Sequence, residues 1–232
     1  MNSEIKHLFF DLDHTLWDFD KNSAEAYNIL LSEINFPGDF ETFHRIYEPI
    51  NSKYWNDYAA GKVNKEQVRN NRLKETLKYF DIHIQETEAK RLAGKYLELL
   101  AQGRKLFDGT LEMLACLKKH YRLHLITNGF AEVQETKILN SGLKDFFETF
   151  TITERLGVLK PHPRVFLHAL RQAGAFAHES VMIGDSWKSD IIGALNVGMH
   201  AVFFDPLDRM QVPLPTVKKI KSLRELKTMF EC

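Results

Sequence analysis

The second half of the chain alternates between short apolar runs and amphipathic segments, and this alternation limits the possible folds more than any other feature. The apolar runs lie at residues 123–126, 150–152, 181–183 and 201–204. The segments between them have helical periodicity and end at glycines suited to a helix C-cap, namely Gly142, Gly174 and Gly198. Strands that alternate with helices of this length predict a parallel sheet with helices on both faces.

A second pattern fills residues 18–102, where apolar residues recur at helical spacing throughout. Asp39 and Asn64 are suited to cap helices there, and Gln67 lies where a capping box needs it. The apolar run at residues 5–10 has no strand partner nearby and most simply joins the later sheet. We therefore predict an α/β fold: a Rossmann-like parallel sheet core, residues 1–15 and 103–232, with an inserted all-helical cap at residues 16–102.

Composition narrows the class of protein. Hydrophobic residues make up 44% of the 232, which is enough for a substantial buried core. The 31 basic and 31 acidic residues cancel, without a long run of either sign, so we expect no nucleic acid polymer as a partner. A small phosphorylated ligand remains compatible with this balance, because one local cluster of donors is enough to bind it.

Cysteine usage and the first residues bear on the compartment. Cys116 and Cys232 are the two cysteines, which is no disulfide framework and no zinc cluster, and their number fits a reducing compartment. Residues 1–6 lack the apolar core of a signal peptide, and no run of 18 apolar residues occurs elsewhere. We expect a soluble cytoplasmic protein that binds no membrane and is a monomer or a weak homodimer.

Polar residues cluster where the predicted strands end. In open parallel sheets, ligands bind beyond the carboxyl ends of the strands, so these residues are candidates for a site. In chain order they are Asp11 and Asp13, Thr127 and Asn128, Lys160, Asp185, and Asp190. Each alone has an ordinary explanation, such as a turn or a solvated loop. Together they place carboxylates, a hydroxyl, backbone amides and an ammonium group at one edge of the sheet.

The pair Asp11 and Asp13 carries the strongest chemical signal. Two carboxylates two residues apart on an extended chain point to the same side. Like charges that close repel unless a cation or a shared proton compensates, and a divalent metal with acid–base chemistry would explain the arrangement. For this pair taken alone, the alternative is a strand that runs into an acidic turn.

The complete set resembles the four motifs of the haloacid dehalogenase-like superfamily, which here read Asp11-x-Asp13-x-Thr15, Thr127-Asn128, Lys160 and Gly184-Asp185-x4-Asp190. The resemblance covers the whole chain, and the helical insertion after the first motif is similar to the small helical cap of one subfamily. A narrower resemblance, to the branch that contains pyrimidine nucleoside monophosphate phosphatases, rests on residues 55–63 and on the run Thr127-Asn128-Gly129-Phe130.

The resemblance implies roles for the first motif. Asp11 would be the nucleophile, ionised at neutral pH because its pKa is ordinary, and would accept the phosphoryl group as an aspartyl-phosphate. Asp13 would protonate the leaving group and then act as base for the hydrolytic water. The true dehalogenases lack an acid there, so Asp13 favours phosphoryl transfer. Mg²⁺ would be held by the Asp11 side chain, the Asp13 backbone carbonyl and Asp185.

The same resemblance implies roles for the later motifs. Thr127 and the backbone amide of Asn128 would bind the phosphoryl oxygens, and Lys160 would neutralise the charge that builds there and on Asp11. Asp190 would lie behind the site and orient Lys160 or a metal-bound water. The alternative for Asp190 is an acid placed at a helix N-terminus by the helix dipole.

The sequence therefore predicts a Mg²⁺-dependent phosphatase of small phosphomonoesters, with a nucleoside 5′-monophosphate as the leading substrate. The alternatives are a sugar-phosphate phosphatase or a phosphomutase of the same superfamily and, outside enzymes, a phosphoacceptor or a catalytically silent scaffold. Tyr54, Trp55 and Tyr58 could stack on a nucleobase, although aromatic residues at helical spacing more often belong to a core.

Overall fold

A single parallel sheet of six strands runs through the computed structural model, which describes residues 5–232. The strands are β1 (His7–Phe10), β2 (Arg122–Thr127), β3 (Thr149–Ile152), β4 (Ser180–Gly184), β5 (His200–Phe204) and β6 (Lys218–Ile220). Their order across the sheet is β3-β2-β1-β4-β5-β6. Because β1 pairs with β2 on one side and β4 on the other, the first strand joins the later sheet as predicted.

The helices alternate with the strands after residue 109, whereas the four helices between residues 19 and 101 follow one another without a strand. They are α1 (Phe19–Glu33), α2 (Phe40–Ala59), α3 (Lys65–Lys78), α4 (Glu86–Ala101), α5 (Thr110–Leu117), α6 (Ala131–Asn140), α7 (Pro163–Ala173), α8 (Gly193–Leu195) and α9 (Glu225–Met229). A π-helical turn, Trp187–Ile192, leads into α8. The chain divides into an α/β unit, residues up to 20 with 104–232, and a helical unit, residues 21–103. The predicted fold class is confirmed.

Burial explains why the α/β unit folds this way. Leu8, Phe9 and Phe10 are fully buried because both faces of a central parallel strand are covered. Phe9 packs in one cluster with Val165 and Phe166 of α7, whose apolar residues share one face. Among the strands of residues 5–232, the one that the sequence did not predict is β6, a three-residue edge strand in which only the last residue is buried.

The helical unit has its own aromatic core. Rings of Tyr27, Phe43, Tyr47 and Tyr96 meet there, with 4.0 Å between the centres of Tyr27 and Tyr96. The predicted caps are confirmed: the Asp39 carboxylate accepts from the Thr42 amide, and Asn64 with Gln67 forms a capping box. Of the three aromatics considered for stacking, Tyr54 is buried, whereas Trp55 and Tyr58 are half-buried.

Two findings concern the cysteines and the capacity of the helices to span a membrane. Cys116 and Cys232 form a disulfide, with 5.7 Å between their Cα atoms, whereas two cysteines 116 residues apart had given no reason to predict a pair. Among residues 5–232, no helix combines the length and the apolar composition that crossing a bilayer requires. Most of the segment from which the lack of a signal peptide was argued, residues 1–4, lies outside the described residues.

Candidate active site

Asp11 emerges from the carboxyl end of β1, the central strand. Its backbone amide still donates to the carbonyl of Ile183 in β4, at 2.9 Å, so strand pairing fixes its position. The chain turns directly afterwards, because His14 adopts a left-handed conformation with φ 63°. That turn returns Thr15 to the sheet edge, where its hydroxyl contacts both the side chain and the amide of Asp185, at 3.3 and 3.0 Å.

Lys160 lies at the centre of the cluster, although it is far from Asp11 in sequence. Its ammonium donates to Asp11 Oδ1 at 2.5 Å, to Asp190 Oδ1 at 2.7 Å and to the carbonyl of Ile126 at 3.0 Å. These three bonds use all three donors of the ammonium, which is almost fully shielded from solvent. Lys160 therefore joins three strand ends: β1, β2 and the segment after β4.

The side chain of Asn128 holds the Lys160 segment in place. Its Oδ1 accepts from the Lys160 backbone amide at 2.9 Å and from the Thr153 hydroxyl at 3.0 Å, while its Nδ2 donates to the Lys160 carbonyl at 3.3 Å. The sequence had indicated only the backbone amide of Asn128, not this clamp. The Thr127 side chain is fully buried beside it, at the carboxyl end of β2.

Asp190 lies inside the π-helical turn after β4, a geometry that is frequent at functional sites. Besides its bond to Lys160, it accepts from the Ser186 amide through Oδ2, at 3.0 Å. Gly184 makes this approach possible, because a Cβ there would lie 2.3 Å from the Asp190 carboxylate. Asp190 therefore contacts Lys160 directly, with its second oxygen occupied by the loop.

The carboxylates of Asp11, Asp185 and Asp190 offer oxygens that all lie within 4.8 Å of one another. Burial raises the pKa of Asp11, and Lys160 only partly opposes this because the Asp190 carboxylate adds to the rise. Burial, and then the charge of Asp11, raise the pKa of Asp185 well above its ordinary value. The sequence had suggested an ordinary pKa for Asp11. For the protein chain by itself that expectation is wrong, because burial raises the pKa of this carboxyl group.

This donor set fits a divalent cation. Three carboxylates around one ammonium leave negative charge in a buried place, and added positive charge would favour their ionised forms. Oxygen ligands of this kind are those that Mg²⁺ prefers. Asp11 and Asp185 are the better ligands, because both oxygens of Asp190 already have partners in Lys160 and Ser186.

Asp13 faces a different set of partners, which the sequence did not reveal. Its carboxylate accepts from the Lys137 ammonium at 2.8 Å and from the Gln134 amide at 3.0 Å. Both residues are on α6, the helix that follows Thr127 and Asn128. The available signal was a lysine at an inward-facing helix position, where apolar residues are the rule.

The chain is similar to known proteins. A family model, haloacid dehalogenase-like hydrolase, matches residues 5–198. The chain is 32% identical over 203 residues to the pyrimidine 5′-nucleotidase PynA of Streptococcus pneumoniae, covering 87% of this chain and 84% of that protein. It is 33% identical over 209 residues to the glyceraldehyde 3-phosphate phosphatase of Pyrococcus abyssi, covering 86% and 81% respectively.

The fold of the chain is also similar to that of a solved structure. The magnesium-bound HAD-hydrolase YfnB of Bacillus subtilis matches with a TM-score of 0.88 and 28% identity, over 98% of this chain and 99% of that one. The four motifs meet at one sheet edge, and the family model covers most of the chain. The chain is therefore an enzyme that belongs to the haloacid dehalogenase-like hydrolases.

Proposed function

We propose that this chain is a Mg²⁺-dependent phosphatase that hydrolyses small phosphomonoesters through an aspartyl-phosphate at Asp11. The observation that carries the proposal is the Asp11 carboxylate at the end of β1, paired with Lys160 and close to Asp185. A carboxylate beside an ammonium and further cation-binding groups is suited to attack at phosphorus, because the phosphoryl oxygens that approach it are themselves negative.

The reaction divides into two balanced steps. In the first, an Asp11 oxygen bonds to phosphorus, the bond from phosphorus to the ester oxygen breaks, and Asp13 gives its proton to that oxygen. In the second, a water oxygen attacks phosphorus, Asp13 takes a proton from that water, and the bond to Asp11 breaks. Inorganic phosphate leaves, and Asp13 ends protonated as it began.

The remaining residues bind and orient the phosphoryl group. The Thr127 hydroxyl and the Asn128 amide would donate to its oxygens, and Lys160 would offset the charge that develops on them. Asp11, Asp185 and the Asp13 carbonyl would hold Mg²⁺, which when bound supplies positive charge that favours ionised Asp11 and neutralises the phosphoryl oxygens. Asp190 would keep Lys160 in place.

The leading substrate is a nucleoside 5′-monophosphate, in line with the name of the nucleotidase PynA. A sugar phosphate is the second candidate, because the glyceraldehyde 3-phosphate phosphatase is as similar, at 33% against 32% identity. A phosphomutase would need a bound bisphosphate to return the phosphoryl group. An acid at position 13 argues for phosphoryl transfer over dehalogenation.

We further propose that the segment predicted at 16–102 acts as a cap that excludes water during the reaction. The crystal structure of magnesium-bound YfnB reveals interdomain movement in that protein, which supports a mobile cap here. A small phosphorylated molecule is the proposed partner. The cytoplasmic location and the monomeric or weakly dimeric state stay predictions.

The test is a panel of pyrimidine and purine monophosphates and sugar phosphates, assayed for phosphate release with Mg²⁺ and with a chelator. We expect release that requires Mg²⁺ and needs no added bisphosphate. Asp11→Asn should lower turnover by more than about 10⁴-fold, because the amide oxygen is a poor nucleophile. Asp145→Asn, an exposed control of the same chemistry, should match the unchanged enzyme.

Acid quench during turnover, followed by mass spectrometry, should find one phosphoryl group on the peptide that contains Asp11. Appreciable turnover by Asp11→Asn, or a phosphoryl group on another residue, would overturn the nucleophile assignment. Equal rates across the panel would leave the chemistry in place and remove the nucleotide proposal.

A further inference from the structure

Helix α6 carries two buried polar residues that none of the four motifs contains. Gln134 and Lys137 lie three residues apart, on the same face of the helix, and each is 1% exposed. Burying an amide and an ammonium is costly unless both are well partnered, so their contacts indicate their purpose. Both contact Asp13.

Gln134 connects Asp13 to the proposed phosphate-binding loop. Its side-chain Nε2 lies 2.6 Å from Thr127 Oγ1, 3.0 Å from Asp13 Oδ2 and 3.3 Å from the Asn128 carbonyl, and these three acceptors share its two N–H donors. Gly129 leaves room for this amide, because a Cβ there would lie 2.9 Å from the Gln134 side chain. A side chain at position 129 would therefore require the Gln134 amide to shift, and the φ of 143° at that position also favours glycine.

Lys137 contacts both oxygens of the same carboxylate. Its ammonium lies 2.8 and 3.1 Å from the two Asp13 oxygens and 4.1 Å from the centre of the fully buried Trp17 ring. The Lys137 side chain is 2% exposed, whereas that of Asp13 is 20% exposed. Lys137 is thus the buried partner of the ion pair, and Asp13 is the partner that a substrate can reach.

We propose that Gln134 and Lys137 are positioning residues for Asp13, which hold its carboxylate apart from the cation-binding carboxylates so that it stays available for proton transfer. This rests on the proposed function, in which Asp13 is the acid and base. Among the described residues, the carboxylates close enough to share a metal ion are Asp11, Asp185 and Asp190, and Asp13 is not with them.

Charge explains why such positioning is needed. Asp13 is two residues from Asp11, so a divalent cation held at Asp11 would also attract the Asp13 carboxylate. A carboxylate that coordinates a divalent cation through its own oxygens is a weaker base than one that only accepts hydrogen bonds, so coordination would impair proton transfer. The Lys137 ammonium supplies a competing positive charge in direct contact with Asp13, and Gln134 provides a second contact.

Leaving-group dependence separates this role from a purely structural one. An alkyl phosphate needs an acid to protonate its leaving oxygen, whereas a nitrophenyl phosphate expels a stabilised anion that needs none. We expect Lys137→Met and Gln134→Met to slow single-turnover release from an alkyl phosphate about 10–100-fold, and release from the nitrophenyl ester less than about threefold. KM should stay within about threefold, and Lys119→Met, an exposed control, should change neither rate.

Calorimetric titration with Mg²⁺ gives a readout that is independent of turnover. We expect Lys137→Met to bind Mg²⁺ more tightly, because Asp13 becomes available as a ligand, and expect most of that gain to vanish when Asp13→Asn is also present. The double variant should likewise react with the alkyl phosphate about as slowly as Asp13→Asn alone, because both changes remove the same function, proton transfer by Asp13. Thermal unfolding shows which variants fold; if Lys137→Met does not, Gln134→Met decides in both assays.

The outcomes distinguish the two proposals. If Asp13→Asn slows both esters equally, the acid–base role fails and the positioning role fails with it. If Asp13→Asn is selective but the folded α6 variants slow both esters equally, or neither, only the positioning proposal is overturned. A gain in Mg²⁺ affinity that persists with Asp13→Asn would also overturn it, because the gain would then be general electrostatics.

Discussion

The two units of the molecule each bury a cation, and they stabilise it in opposite ways. Lys160 in the α/β unit and Arg72 in the helical unit are both 4% exposed. Lys160 donates to two carboxylates. Arg72 donates to the amide oxygen of Asn51 at 2.7 Å, and its guanidinium lies 6.0 and 5.7 Å from the ring centres of Tyr47 and Tyr96.

Both cations stay charged, but for different reasons. Burial lowers the pKa of Lys160, and the carboxylates of Asp11 and then Asp190 raise it to above its ordinary value. Burial also lowers the pKa of Arg72, and nearby tyrosine oxygens, that of Tyr47 first, more than restore it. What differs is what remains when the cation is removed. In the α/β unit two buried carboxylates remain, whereas in the helical unit neutral side chains remain, together with the exposed carboxylate of Glu48.

Replacing Lys160 by Met is the largest expected effect. Turnover should fall by at least about 10²–10³-fold, because the charge that develops on Asp11 and the phosphoryl oxygens loses its ammonium. Without metal, the free energy of unfolding should fall by about 3–5 kcal/mol, because Asp11 and Asp190 lose their partner. Denaturant unfolding with and without Mg²⁺ measures this, and Mg²⁺ should recover part of the loss.

Lys119→Met is the matched control for that variant, since Lys119 is an exposed lysine. It should leave both turnover and unfolding nearly unchanged. If Lys160→Met retained turnover within about threefold of the unchanged enzyme, Lys160 would be a structural cation like Arg72, and the contrast between the units would disappear.

The sequence anticipated the Lys160 cluster because topology dictates where it lies. Polar residues after parallel strands meet at one sheet edge whatever the helices between them contain, so Asp11 and Asp185 could be predicted to approach each other. Strand β6 was missed because a three-residue edge strand has too little pattern to detect. The disulfide between Cys116 and Cys232 was missed because chain spacing does not give distance in space.

Side-chain networks were predicted less well than strand ends. Arg72 lies in a polar helix, and helical periodicity identifies buried positions through their apolar residues, so a buried arginine gives no signal. Lys137 did give a signal, as a lysine at an inward-facing position of α6, but that signal does not identify Asp13 as its partner. The sequence thus indicated which motifs meet, but not the side chains that orient them.

His124 tests whether a buried base without a carboxylate contact becomes neutral. Its ring contacts the His7 ring, at 3.0 Å, and the Thr149 hydroxyl, at 2.9 Å. Burial, and then the charge of His7, lower the pKa of His124 to about 4; the more distant Glu148 raises it, and Arg122 lowers it slightly. The pKa of Lys160 shifts in the opposite direction, because its carboxylate partners keep the ammonium charged.

The sign of the pH effect follows from this shift. Between pH 4 and the unfolded value of about 6.5, the unfolded chain binds the proton more readily. The contribution of neutral His124 to the free energy of unfolding is therefore complete above about pH 6.5 and is lost as the pH falls towards 4. Relative to His124→Gln, which does not titrate, the enzyme should lose about 1–2 kcal/mol of unfolding free energy between pH 7.5 and pH 5. If the difference in unfolding free energy between the enzyme and His124→Gln were the same at both pH values, His124 would not be held neutral in the folded protein.

Arg72→Met should have the smallest effect and makes the sharpest contrast with Lys160→Met. The variant loses a hydrogen bond from a charged donor and two weak contacts with aromatic rings, but it also removes the need to bury a cation. Asn51 keeps a partner, because the Tyr47 hydroxyl donates to the same oxygen at 3.3 Å. We expect unfolding free energy to fall by about 1 kcal/mol, equally with and without Mg²⁺ and equally at pH 6 and pH 8.

The comparison with Lys160→Met holds the introduced side chain constant, since both variants exchange a buried cation for methionine. The main difference is the set of partners left behind, so the difference in unfolding free energy between the two variants reports chiefly the cost of uncompensated carboxylates. If Arg72→Met lost as much free energy of unfolding as Lys160→Met, then removing a buried cation would cost as much beside neutral dipoles as beside carboxylates. A difference of about 2 kcal/mol or more that narrows on adding Mg²⁺ would instead locate the dependence in the carboxylates.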